Sequence, residues 1–120
     1  MADDVRAPVG MPMTTGLELP GRMVTENLGV VYGLVVRSMG VVGGVAAGFK
    51  ALRRGEVSQY TQLLEDSRRH AIDRMVDNAR LIGADGMIAV RFDSSEIRQQ
   101  LTEIVAYGTA VKLGPVSLDQ

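Results

Sequence analysis

The sequence predicts an α+β domain in which a three-stranded antiparallel sheet packs on one long helix, in the order β-α-α-β-β. Three observations predict it. A β-branched run covers residues 23–36, an apolar stripe at helical spacing covers 57–82, and two strand-like segments near 87–93 and 102–113 are joined by a short polar link.

The first strand follows the turn Leu19-Pro20-Gly21 and reads MVTENLGVVYGLVV from Met23 to Val36. Gly29 and Gly33 interrupt it, and glycine inside a strand marks a bulge, a bend or the close approach of another backbone. Residues 40–54, GVVGGVAAGFKALRR, then place Gly40, Gly44 and Gly48 on one face of a helix. Each such glycine costs about 1 kcal/mol relative to alanine, so that helix needs packing partners. A small-residue contact face is preferred over a lipid-inserting glycine zipper.

A stronger helix starts at Ser58, which is placed to cap it, and stops at Gly83. Val57, Tyr60, Leu64, Ala71, Met75, Ala79 and Ile82 form its expected buried stripe, joined by Leu63 and Ile72. Glu65 and Arg69 are spaced for an ion pair on its other side. After Gly83-Ala84-Asp85, the segment MIAVRFD alternates, with Ile88, Val90 and Phe92 on one face and Met87, Ala89, Arg91 and Asp93 on the other. The polar link SSEIRQQ leads to a last strand from Thr102 to Leu113, and so short a link predicts an antiparallel hairpin. Residues 1–13 are expected to be a loose N-terminal arm, 14–113 the single domain, and 114–120 a tail.

Composition restricts the function. The chain has 120 residues, enough for one core, with only 4% aromatic residues but 14 Gly and 7 Met, so aliphatic, Ala and Met side chains must fill that core. Thirteen basic and fourteen acidic residues leave a net charge of -1, too little positive field to attract nucleic acid. The absence of Cys removes disulfides, thiolate metal sites and cysteine nucleophiles, and a cytoplasmic location is expected. Arg37 divides the most apolar region, Leu28 to Phe49, and its longest charge-free piece, Ser38 to Phe49, falls short of the roughly 20 residues that span a bilayer, so membrane contact is not expected.

Three strands and one principal helix leave one sheet face uncovered. A second copy is the simplest cover, so a homo-oligomer is expected.

Taken in order, the segments LPG, LGVVYGLVVRS, GEVSQYTQLLEDSRRHAIDRM, GAD, VRFDSS and EIVAYGTAV resemble the YbjQ family of small proteins of unknown function. The resemblance implies a dodecin-subunit-like β-α-β-β fold assembled as a propeller-like pentamer, or as a decamer if two rings pair. Gly29, Gly33, Arg37, Tyr60, Arg74, Gly83, Asp85, Arg91, Tyr107, Gly108 and Thr109 match the family pattern, whereas residues 39–54 depart from it. Members are often labelled heavy-metal-binding, and the donors of this chain must bear that label.

Asp66, His70, Asp73 and Asp77 share one helical face at spacings of four, three and four, which permits a carboxylate and imidazole site. Against it stand arginines on the same helix and the lack of an evident cage, so a solvated surface is preferred and no metal or cofactor is expected. The methionines are read as core filling rather than Cu(I) ligands. Catalysis is not expected, since the sole His lies mid-helix and no nucleophile elbow, phosphate loop or dinucleotide fingerprint is present.

Arg37, Arg91, Asp93, Glu103 and Tyr107 are expected at contacts between subunits, where repeated charges are able to hold a small anion. Gly29, Gly33, Gly40, Gly44, Gly48 and Gly108 are expected at sites of close packing. The resulting reading is a non-enzymatic oligomeric binding or scaffold protein. A heavy-metal-binding protein and a membrane-associated assembly through residues 39–49 are the alternatives.

Overall fold

The computed structural model describes residues 10–38, 58–99 and 101–115. The chain runs β1 (Val24–Ser38), α1 (Ser58–Leu81), β2 (Gly86–Arg98) and β3 (Leu101–Leu113). The strands form one antiparallel sheet in the order β1-β3-β2, so the last strand of the chain occupies its centre. The expected glycine-rich helix, with Gly40, Gly44 and Gly48, lies outside the described residues.

One sheet face carries α1. Val31 and Val35 of β1, Ile104, Ala106 and Ala110 of β3, and Met87 and Val90 of β2 bury themselves against Ala71, Met75, Val76 and Ala79. The helical stripe is thus narrower than its spacing predicts and rotated toward Val76, while Leu64 and Ile82 are exposed. Ser67 is also buried on this face, its hydroxyl donating to the Leu63 carbonyl at 2.8 Å. That bond to the preceding turn satisfies a hydroxyl in a position periodicity assigns to apolar residues.

The helix ends as expected of Gly83. This glycine has φ +84°, its amide donates to the Arg80 carbonyl and the Ala84 amide reaches back to Ala79, which is the paired closure of a Schellman motif. Gly83→Ala is expected to cost about 1 kcal/mol through the left-handed backbone alone, seen as a lower urea midpoint at unchanged slope.

Three sequence expectations are corrected here. Residues 10–13 are no loose arm: Met11 is buried in the core, Met87 donates to the Pro12 carbonyl at 3.0 Å, and Met13 bridges to Met87. The domain therefore begins ahead of residue 14. The supposed link SSEIRQQ is largely strand, since Ser94 to Arg98 continue β2 and pair with β3. Its polarity reflects exposure on both faces at the far end of a hairpin, not a break in the ladder.

The alternation of β2 also changes hand partway along. Ile88 pairs with Thr109 but Arg91 pairs with Tyr107, which leaves one extra residue in β2. Ala89 sits there with φ 55°, the sole positive φ among the described non-glycine residues. The bulge turns Met87 inward together with Val90 and Phe92, instead of opposite to them as strict alternation requires.

The glycines of β1 do different things. Gly29 lies in a second bulge, with φ +104° and open space where a Cβ would go, so it serves backbone conformation and not close packing. Gly33 faces α1 so closely that a Cβ would overlap the Ala71 carbonyl and the Met75 amide and stand 2.8 Å from Arg74 Cβ. Gly108 is less confined, since a Cβ there would stand 3.0 Å from the side-chain atom Val90 Cγ2.

Candidate functional site

The face of the sheet turned away from α1 carries a row of exposed apolar side chains. Register defines its rows. Tyr32, Tyr107 and Arg91 stand side by side across β1, β3 and β2, followed by Leu34, Val105 and Asp93, then Val36, Glu103 and Ser95. Along β1 alone, Val30 is 72% exposed, Tyr32 60% and Val36 50%. Isolated exposed apolar residues are ordinary, but a contiguous stripe of them on a pleated surface marks a contact site.

Charges border this stripe on the β2 side. Arg91 is held down, its Nη1 donating to the Thr15 carbonyl at 2.6 Å and to Val90 at 3.0 Å. Ser95 donates to Glu103 across the hairpin at 3.0 Å. Arg91, Asp93, Glu103 and Tyr107 therefore belong to one surface, the one sequence reasoning assigned to subunit contacts.

Arg37 does not join them. It lies on the α1 side of β1, where its guanidinium contacts His70 Nδ1. Arg74, one turn further along α1, donates to the Leu34 carbonyl at 3.3 Å, and Asn78, one turn beyond, to the Tyr32 carbonyl at 2.7 Å. These three helix residues form a ladder along the outer edge of β1. Tyr32, Leu34, Arg74, Asp77 and Asn78 also line an open groove of about 320 Å³ at this edge.

The proposed metal face is dispersed by the same contacts. Asp66 pairs with Arg69 at 3.3 Å, a partner sequence spacing assigned to Glu65, while His70 meets Arg37 and Asp77 lies at the groove. Among the described residues no three His, Asp or Glu side chains gather to hold a metal ion. A metal-ligating imidazole is ordinarily oriented by a carboxylate, a carbonyl or water on its other nitrogen. Here the Arg37 guanidinium stands at one ring nitrogen in place of such a group. No helix among the described residues is long and apolar enough to cross a membrane.

A small α+β chain, with one sheet face covered by a helix and the other left uncovered by any described helix, is the class these observations define. A family model described as "Putative heavy-metal-binding" matches residues 11–114, and the chain belongs to this family, YbjQ, also called UPF0145. A UPF0145 protein of Sulfurisphaera tokodaii is 48% identical over 99 residues, covering 82% of this chain and 87% of that one. One from Burkholderia multivorans is 42% identical over 118 residues, covering 96% and 97%. Among solved structures, a DUF74-family protein of unknown function from Pediococcus pentosaceus superposes with a TM-score of 0.56 at 16% identity, covering 88% of this chain and 99% of that one. That likeness concerns the fold alone.

Proposed function

We propose that this chain is a non-enzymatic, homo-oligomeric binding or scaffold protein in which a second copy covers the helix-free face of the sheet. The exposed row Val30, Tyr32, Leu34 and Val36 carries the proposal. A copy of the same chain suits it, because the bordering charges include both signs and the net charge of -1 imposes little repulsion between copies. A pentameric ring, with a small anion near Arg91 at its subunit contacts, is the finer form of this reading. Sedimentation velocity at micromolar concentration tests it: a defined oligomer is expected, and a well-behaved monomer overturns it.

Heavy-metal binding is the family's description, and the Arg37 contact with His70 argues against that role for the His70 face. Equilibrium dialysis with Zn, Ni and Cu is expected to give no stoichiometric uptake. Uptake that disappears in His70→Ala reverses this preference.

A further inference from the structure

We infer that the far half of β2 is a second, two-fold contact between copies of this chain, formed by antiparallel pairing of the strand with itself about Ser95. It goes beyond the face contact and stands without it. The other edges of the sheet are attended to. Arg74 and Asn78 hold the outer carbonyls of β1, and residues 12–16 run along the near half of β2, bonding Met87, Ala89 and Val90. From Phe92 to Arg98 no described segment lies alongside, so these seven residues of strand have no partner on their outer edge among the described residues.

The side chains of that stretch identify the occupant. Glu96 pairs with Thr102 and Arg98 with Leu101, so Ile97 is the extra residue of a bulge. Asp93, Ser95 and Arg98 consequently share one face, since their partners Val105, Glu103 and Leu101 alternate regularly along β3. When β2 pairs antiparallel with a second β2 centred on Ser95, each Ser95 faces its own copy and Ser94 faces Glu96. With Ile97 bulged, Asp93 faces Arg98 of the second copy, and symmetry makes that pair twice. Opposite charges directly across a ladder attract and like charges repel. An edge protected only by charge gains nothing from this arrangement of signs, whereas a self-complementary one requires it. A foreign strand would have to reproduce the same pattern, which this chain already carries.

The chain has no cysteine, so a single introduced one reports the geometry without interference. Ser95→Cys is expected to form a disulfide dimer under mild oxidation at micromolar concentration, visible on a non-reducing denaturing gel, because residues directly opposite across a ladder bring their Cβ atoms within disulfide reach. Glu65→Cys, on the exposed side of α1, is the control and is expected to remain monomeric. Adding Arg98→Asp to Ser95→Cys should lower the dimer yield several-fold, and adding Asp93→Arg as well should restore it. In a Tyr32→Glu background, which attacks the sheet face, the crosslink is expected to persist. In the unaltered protein, amides of residues 92–98 should become more protected from hydrogen exchange as concentration rises. Crosslinking no faster than the control, indifference to Arg98→Asp, loss in the Tyr32→Glu background, or unprotected edge amides at high concentration each overturns the pairing.

Discussion

Gly33→Ala is expected to cost this fold about 3 kcal/mol, the upper end of what overpacking a core usually costs. The added methyl meets the backbone of α1 at Ala71 and Met75, and backbone inside a helix cannot rotate away as a side chain can. Relief requires α1 to lift off β1, which opens the layer holding Val31, Val35, Ala71 and Met75. For a domain of this size such a loss lowers the melting temperature by more than about 10 °C. Gly29→Ala is the internal comparison. Its Cβ enters open space and only the positive φ resists, so about 1 kcal/mol is expected. Denaturant titration that places Gly33→Ala within error of Gly29→Ala refutes the close approach.

Tyr32→Glu and Val30→Glu are expected to dissociate the oligomer, raising its dissociation constant roughly 100-fold or more, because an unpaired carboxylate must be stripped of water when the face closes. Both positions point away from α1 and away from the core, so stability of the isolated subunit should change little. The contrast separates them from Gly33: one substitution unfolds the subunit, the others release it intact. Sedimentation velocity beside circular dichroism distinguishes these outcomes. An undiminished oligomer in both variants rejects the face contact.

How much of this was legible from residues alone depended on whether periodicity survived locally. Family membership was recoverable from ordered motifs, and the three antiparallel strands and long helix followed from the β-branched run at 24–36, the stripe through Ala71, Met75 and Ala79, and the stop at Gly83. Where one residue was inserted, the reading inverted. Ala89 carries no signature of a bulge, so Met87 was assigned to the wrong face. Ser94 to Arg98 resemble a loop in their polarity, although a solvated hairpin end is equally polar. The burial of Met11 has no signal in a short segment beside two prolines, which has no period to detect, and its place is set by the edge of β2.

The candidate site was legible by location more than by partner. Register places Arg91, Asp93, Glu103 and Tyr107 on the sheet face away from α1, since alternation after the bulge is regular. Arg37 lies on the opposite face from them. Its parity along β1 sends it to the helix side, and its contact with His70 depends on how α1 lies over the edge of β1, which no local pattern encodes.

The carbonyl ladder made by Arg74 and Asn78 ties the solubility of the strand beneath to the integrity of α1. A brief loosening of that helix strips two side-chain donors from β1 and bares an adhesive ribbon before the rest of the subunit has melted. The hazard of runaway stacking should accordingly track local helix opening, and conditions that leave global stability untouched but fray α1 are those under which this protein would begin to precipitate.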